Sequence, residues 1–192
     1  MEQFSEKTGF FAMLVTVLSL GASPHPFLLI LAYLIHELGH IVLSRIAGAK
    51  IKKFRIGALH LSLSYDCSNL TYKREMLVQA GGIIFNVIFA ALVYLLPFFN
   101  GERSTFFIVC SLSLAIMNLY PVTILDGGGL LKSLLLQISS GDVAEKVTKT
   151  VSFICTVLMW LVAVYLQIIF ASGFSIFFIS VLLLVELCFS IT

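Results

Sequence analysis

Residues 27–48 read FLLILAYLIHELGHIVLSRIAG, an apolar run that is long enough to cross a membrane as one helix. His36, Glu37 and His40 interrupt this run within a short stretch. Two histidines at i and i+4 lie on the same face of a helix and can share one metal ion. Ionisable side chains inside a bilayer are costly unless they have partners. The run therefore predicts a membrane helix that carries a metal site.

The alternative to a metal site is a polar helix face that packs against polar groups of other helices. Three ionisable residues so close together favour the metal, because a cation gives all of them a partner. Catalytic zinc commonly takes three protein ligands and leaves a further position open for water. His36 and His40 would supply two ligands, and Glu37 would take a proton from the water, as in soluble zinc hydrolases.

The composition is that of a membrane protein rather than a soluble domain. Of the 192 residues, 59% are hydrophobic and 11% are charged, whereas soluble domains average about 25% charged residues. The net charge of +2 is too small to indicate a nucleic-acid partner. The four cysteines have no paired spacing, so they are interpreted as packing residues and not as disulfides or metal ligands.

Apolar segments predict an all-α polytopic membrane protein with about six transmembrane helices. No cleavable signal peptide is evident, so the first segment is expected to stay as an anchor. The segments lie at about 9–22, 27–48, 76–98, 104–120, 150–171 and 174–191.

The basic residues predict the orientation in the cell membrane. With both termini in the cytoplasm, eleven of the twelve Lys and Arg residues lie on the inner side and only Arg103 lies outside. This distribution agrees with the positive-inside rule. The second helix then enters from outside near Phe27 and leaves near Gly48, which places the metal site toward the cytoplasmic side.

One stretch between the second and third spans has the pattern of β-strands. Residues 59–65 alternate apolar and polar side chains, which is the period of a strand. Residues 51–56 are able to pair with them through Gly57-Ala58. We therefore expect a small β-hairpin at the cytoplasmic interface.

Asp126 is the best candidate for the third metal ligand. It lies in the stretch NLYPVTILDGG at 118–128, which interrupts an otherwise apolar region. Pro121 blocks continued helix, and the glycines that follow Asp126 permit close backbone approach. Irregular backbone at membrane depth is tolerated only where it is buried in protein or lines a wet cavity. The alternative role for Asp126 is a helix N-cap, and the two roles are compatible.

These motifs together resemble the site-2 protease family of intramembrane zinc metalloproteases, especially its compact bacterial, sporulation-protease-like type. The family combines an HExxH helix with an Asn-Pro…Leu-Asp-Gly motif in a later helix. The resemblance implies that His36, His40 and Asp126 bind Zn²⁺ and that Glu37 is the catalytic acid and base. A Gly-Pro-x-x-Asn-like family element has its counterpart in residues 81–86, GGIIFN.

The resemblance covers about residues 27–138 and implies one membrane-embedded peptidase domain over 1–192. Its catalytic core is residues 27–138, and the segments at about 9–22, 150–171 and 174–191 are accessory helices. Ile83 and Ile124 stand where the family usually has prolines. Neither departure removes a side chain that the chemistry uses.

The implied function is hydrolysis of a peptide bond in or near a transmembrane segment of a membrane-anchored protein, as in regulated intramembrane proteolysis. Asn118 and Asn86 are candidates for binding the oxyanion or the substrate backbone, with the bridging of helices as their alternative role. The hairpin is a candidate for holding the substrate as an added strand, with a simple connector as the alternative.

Two other classes of function use the same residues. The first is a catalytically silent relative that binds membrane proteins, and the second is a metal transporter. The intact Glu37 and ligand set favour the enzyme over the first, and one compact site favours it over the second. The sequence leaves open the substrate, the cleavage position, a regulatory partner, the oligomeric state and the role of Glu186.

Overall fold

The computed structural model describes residues 26–57, 60–66, 70–96, 101–123 and 125–170. Five helices and a two-stranded sheet follow one another along these residues. In chain order they are α1 (Pro26–Ala47), β1 (Lys50–Gly57), β2 (His60–Asp66), α2 (Tyr72–Leu95), α3 (Glu102–Leu119), α4 (Asp126–Leu135) and α5 (Gly141–Phe170).

Helices α1, α2, α3 and α5 are long and apolar enough to cross a membrane. They correspond to the predicted spans at 27–48, 76–98, 104–120 and 150–171. The predicted spans at 9–22 and 174–191 lie outside the described residues. The helical, multi-pass character of the chain is therefore supported, and the number of six spans stays a prediction.

Helix α5 begins at Gly141, nine residues before the predicted span at 150–171. Its first two turns carry charged side chains, and Glu145 pairs with Lys149 at 3.0 Å. Asp142 lies in the first helical turn, where a carboxylate interacts favourably with the helix dipole. Hydropathy detects only the apolar part of such a helix, so it places the start too late.

Strands β1 and β2 pair antiparallel, with Lys50 opposite Asp66 at one end and Gly57 opposite His60 at the other. Gly48, at a φ of 79°, ends the preceding helix α1 in the left-handed region that favours glycine. The position of this sheet at the cytoplasmic interface stays a prediction.

Helices α1 and α2 approach each other closely at two facing glycines. A Cβ atom on Gly39 would lie 2.2 Å from the carbonyl oxygen of Gly81. Small residues allow such close backbone approach between membrane helices. The contact brings the His36–His40 segment of α1 directly against the Gly81–Asn86 segment of α2.

Two apolar clusters hold the helices around this contact. Leu29, Ala32 and Ile35 of α1 are buried with Phe107 and Cys110 of α3. Val122, which follows α3, is fully buried, and Cys155 and Met159 of α5 pack against it. Cys110 and Cys155 are free thiols, in agreement with their predicted packing role, and the other two cysteines lie outside the described residues.

Helical structure is interrupted between α3 and α4, at the stretch where Pro121 is expected to stop the helix. Helix α3 ends at Leu119, Tyr120 has extended backbone, and α4 begins at Asp126. Helix α4 runs antiparallel to α2, because Gly129 faces Gln79 while Ser133 faces Glu75. The break therefore places the start of α4 beside the close contact of α1 and α2.

Candidate metal centre

Three side chains from two distant parts of the chain meet at the start of α4. Asp126 Oδ2 lies 3.2 Å from His36 Nε2 and 3.2 Å from His40 Nε2. The two Nε2 atoms are 3.3 Å apart, and the two imidazole rings stand at 79° to each other. His36 is buried, and His40 and Asp126 are half-buried. This group could hold a metal ion.

A backbone carbonyl sets the tautomer of His40. Its Nδ1 atom lies 2.9 Å from the carbonyl oxygen of Val78 on α2. Because a carbonyl oxygen only accepts, Nδ1 carries the hydrogen and donates it. A neutral His40 therefore has a bare lone pair on Nε2, which points at Asp126. Such hydrogen bonds to the outer nitrogen are typical of metal-ligating histidines.

Asn86 contacts the outer nitrogen of His36, as the Val78 carbonyl contacts that of His40. Its amide nitrogen lies 3.3 Å from His36 Nδ1, and its Oδ1 atom is buried without a hydrogen-bond partner. Turning the amide about its last bond places Oδ1 against His36 Nδ1, which can then donate a hydrogen to it. That arrangement satisfies the buried oxygen and leaves the His36 Nε2 lone pair free, as for His40.

The three converging atoms are better suited to binding one shared metal ion than to contacting one another directly. Two imidazole lone pairs and one carboxylate oxygen repel at these separations unless a cation or a proton lies between them. Asp126 Oδ2 is buried and has no well-formed hydrogen bond in the described structure. Ligands about 2.0–2.1 Å from a tetrahedral zinc ion are about 3.3–3.4 Å apart, close to the 3.2 and 3.3 Å observed.

The backbone at the start of α4 directs Asp126 toward the histidines. Leu125 is the N-cap residue, and Asp126 is the first residue of the helix. No side chain caps this end, so the alternative role of Asp126 as N-cap is not observed. A Cβ atom on Gly127 would lie 2.3 Å from the carbonyl oxygen of Leu119. The glycine therefore lets the new helix start against the end of α3.

Helix α5 holds this segment in place through one buried hydroxyl. The backbone N–H of Thr123 donates to Ser152 Oγ at 3.0 Å, and the two hydroxyl oxygens are 3.3 Å apart. Ser152 is fully buried. Val122 packs against Cys155 and Met159 one and two turns further along α5. A helix that the sequence classed as accessory thus fixes the backbone that leads to Asp126.

We expect Ser152→Ala to lower the affinity for zinc by roughly tenfold, the lower limit for changes that orient a metal ligand indirectly. The substitution removes the acceptor of the Thr123 N–H, which frees the segment before Asp126. Chelator competition on purified protein measures the affinity. Thr156→Val is the matched control, because Thr156 is equally buried but donates only to Ser152 O of its own helix. Equal zinc affinities of wild type and Ser152→Ala would contradict the assignment.

The absence of a side chain at Gly82 makes room for His36. A Cβ atom on Gly82 would lie 2.4 Å from Cε1 and 2.5 Å from Nε2 of the His36 ring. Any larger residue at this position would displace the imidazole from its place beside Asp126. The glycines of the GGIIFN stretch therefore serve both the helix contact and the orientation of one ligand.

The group opens onto a cavity of about 600 Å³ between α1, α2 and α4. Glu37, His40 and Asp126 line it at one end. Glu37 is half-buried, and the hydroxyl of Tyr33, one turn earlier in α1, interacts with its carboxylate. The Glu37 carboxylate therefore faces the same space as the converging ligands without being one of them.

The structure separates the two asparagines from this cavity. Asn86 is fully buried behind His36. The amide of Asn118 donates to the carbonyl of Leu114 in its own helix at 3.0 Å. Neither residue is among those that line the cavity.

Sequence reasoning missed Ser152, which bonds the segment before Asp126, and Gln79, which lines the cavity. Thr148, Ser152 and Thr156 recur at helical spacing in an apolar span, and Gln79 is a polar residue inside another. These polar positions are visible in the sequence, but nothing in it identifies their partners.

Comparisons with known proteins agree with this geometry. A model of peptidase family M50 matches residues 101–162, the part that contains α3, α4 and the first turns of α5. The fold is similar to that of the site-2 protease from Methanocaldococcus jannaschii, with a TM-score of 0.66 and 19% sequence identity. That match covers 91% of this chain and 83% of the archaeal chain. No curated protein sequence matches this chain.

The family match includes Asp126 but not the HELGH segment, whereas the structural match includes most of the chain. Together with the four apolar helices, these findings support an intramembrane metalloprotease in general. The two comparisons confirm that this chain resembles the site-2 protease family.

Proposed function

We propose that this protein is an intramembrane zinc metalloendopeptidase that cuts a membrane-anchored protein in or near its transmembrane segment. The observation that carries the proposal is the convergence of His36, His40 and Asp126 beside the Glu37 carboxylate at the wall of a cavity. The match to peptidase family M50 and the apolar helices support the same function.

Three side chains of this protein would hold the metal, and a fourth would move the proton. A zinc ion bound by His36, His40 and Asp126 would polarise the scissile carbonyl and lower the pKa of a water toward about 7. Glu37 takes the proton of the attacking water on a carboxylate oxygen and delivers it to the leaving amide nitrogen.

The groups behind the ligands keep the two imidazoles in the tautomer that this chemistry needs. The Val78 carbonyl accepts from His40, and the Asn86 amide engages His36. We therefore assign Asn86 to the orientation of a ligand. Asn118 stays the proposed donor to the oxyanion; because it does not line the cavity, its amide would have to release the Leu114 carbonyl and turn toward the metal centre in this role.

A transmembrane substrate must unwind before it is cut, because the peptide bonds of a helix are hydrogen-bonded and surrounded by side chains. The cavity beside the ligands offers room for a short extended segment. Strands β1 and β2 have backbone that a further strand is able to join, which supports the hairpin as a docking edge for the unwound chain.

The orientation that we propose follows from the charges. Both termini are cytoplasmic and the centre lies toward the cytoplasmic side, since eleven of the twelve basic residues then lie inside. We propose one peptidase domain over residues 1–192, with α5 as part of the support of the metal centre because of the Ser152 contact.

Reconstitution in lipid vesicles tests the proposed function. Purified protein is incubated with candidate single-pass membrane proteins, and zinc content and cleavage are measured before and after chelation. We expect about one zinc per chain, cleavage that chelation removes, and recovery when zinc is returned. Cleavage that survives complete zinc removal would contradict the proposal. Substrate binding without cleavage would favour the silent relative, and zinc flux into vesicles would favour the transporter.

A further inference from the structure

Beyond Glu37 and His40 of α1, the cavity beside the metal centre is a groove lined by the antiparallel helices α2 and α4. Its walls include Tyr72, Glu75 and Gln79 of α2, and Gly129 and Ser133 of α4. These residues recur at intervals of three or four, so each set lies on one helix face. From Asp126 to Leu136, which also lines the groove, the helix rises about 15 Å. An extended peptide covers that length with about four or five residues.

Gln79 is a polar residue of this groove whose side chain has no hydrogen-bond partner among the described residues. It is half-buried, and the residue before it, Val78, holds His40. Among the described residues, no hydrogen bond engages its carboxamide. Ser133 Oγ, in contrast, donates to Glu75 Oε2 at 3.4 Å, so those two groups are paired.

The other carboxamides whose side chains the structure describes are all engaged. Asn86 contacts His36, and Asn118 donates to the Leu114 carbonyl. Gln137 donates to Met76 Sδ and to the carbonyl of Ser133. Gln79 is therefore the described carboxamide that both lines the groove and is free to bind a ligand.

Gly129 on the facing helix leaves space for this side chain. A Cβ atom on Gly129 would lie 2.6 Å from Gln79 Cδ and 2.9 Å from both terminal atoms of the amide. The Gln79 carboxamide thus lies flat against the backbone of α4. Any side chain at Gly129 would have to push it out of this position.

The chemistry of an unwound helix matches a free carboxamide. Each residue that leaves a helix exposes one N–H donor and one C=O acceptor, and both are costly to bury without partners. A carboxamide offers a donor and an acceptor together, so it can pair with both groups of a peptide unit. Contact with the main chain alone does not depend on the substrate's side chains.

We propose that the Gln79 carboxamide hydrogen-bonds to the main chain of an extended substrate segment lying in the groove between α2 and α4. This inference rests on the proposed function and deepens it. It makes Gln79 a substrate-binding residue that helps to keep the peptide extended next to the metal ligands.

Two zinc-binding probes of different length test the proposal on the full-length, zinc-loaded protein. Acetohydroxamate reaches the metal only, whereas succinyl-Leu-Leu-hydroxamate adds an extended backbone that occupies the groove. We expect Gln79→Met, which nearly conserves volume, to weaken binding of the peptidyl probe by about tenfold, the effect of one lost hydrogen-bond pair. Binding of acetohydroxamate stays unchanged. Gln137→Met is the matched control, because that carboxamide lies outside the groove.

Gly129→Ala tests the same group from the facing helix. We expect it to weaken the peptidyl probe as Gln79→Met does, and the double variant to lose no more than either single one. Equal affinity of wild type and Gln79→Met for the peptidyl probe would overturn the inference. So would an equal loss of both probes, since that result means a disturbed metal site. If neither probe binds zinc-loaded wild type, the proposed function itself fails.

Discussion

Glu37→Gln is expected to reduce peptide-bond hydrolysis by at least about a thousandfold, within the range that general acid–base groups contribute, and to leave zinc bound. Glutamine keeps the size of the side chain but accepts no proton from the attacking water. The residue lines the cavity beside the ligands and is not among the three converging groups. Cleavage in reconstituted vesicles and metal analysis of the same protein measure the two effects.

The control for Glu37→Gln is Glu145→Gln, which removes a carboxylate from the exposed start of α5. It is expected to leave both cleavage and zinc content unchanged, because a surface ion pair contributes little. A Glu37→Gln protein that keeps a tenth or more of the wild-type rate would refute the role of Glu37. Loss of zinc in this variant would assign Glu37 to metal binding instead.

Asp126→Asn is expected to remove the metal itself. An amide oxygen is neutral and is a poorer partner for a divalent cation than a carboxylate, and Asp126 Oδ2 is the atom that both imidazoles face. We expect zinc affinity to fall by more than about a hundredfold, since changes that only orient ligands already cost about 10–100-fold. Chelator competition measures this loss, and cleavage should return in part at high zinc concentration.

Asp142→Asn is the matched control, because Asp142 lies exposed in the first turn of α5 and faces no imidazole in the described structure. It should bind zinc like the wild type. If Asp126→Asn also binds zinc like the wild type, the third ligand has been misassigned. Activity lost at full zinc occupancy would likewise show that Asp126 acts in another way.

The two substitutions separate binding from chemistry. Glu37→Gln should give a zinc-loaded, inactive protein, and Asp126→Asn should give a zinc-poor protein that excess zinc partly restores. A silent relative that binds membrane proteins predicts no cleavage by the wild type in the first place. The pair of variants therefore tests the proposed mechanism at two independent points.

Much of the metal centre can be predicted from the sequence, because several of its features depend only on residues within one short segment. The spacing of His36 and His40 on one helix follows from helical geometry alone. The break after α3 follows from Pro121, which cannot continue a helix. The sequence predicts Asp126 as the third ligand because it lies in irregular backbone within an apolar region. Such backbone is tolerated at membrane depth only where it is buried in protein or lines a wet cavity. The structure brings Asp126 to the two histidines, as this reasoning requires.

Other parts depend on which helix lies next to which, and no local pattern contains that information. The predicted start of α5 at residue 150 is too late, because the charged first turns of this helix give no hydropathy signal. Ser152 accepts a hydrogen bond from the segment before α4, and Gln79 lies against Gly129 of α4. The sequence shows that these side chains are polar in apolar surroundings, but only the packing shows what they face.

The sequence by itself determined which chemical groups are available: two imidazoles and a carboxylate on one apolar helix, and a later aspartate in interrupted helix. These features depend on residue type and on spacing within one segment. The tertiary structure decided the tautomers of the imidazoles, the support of Asp126 by α5 and the exposure of Gln79 to the groove. Each of these requires contact between residues far apart in the chain, which arises only when the helices pack.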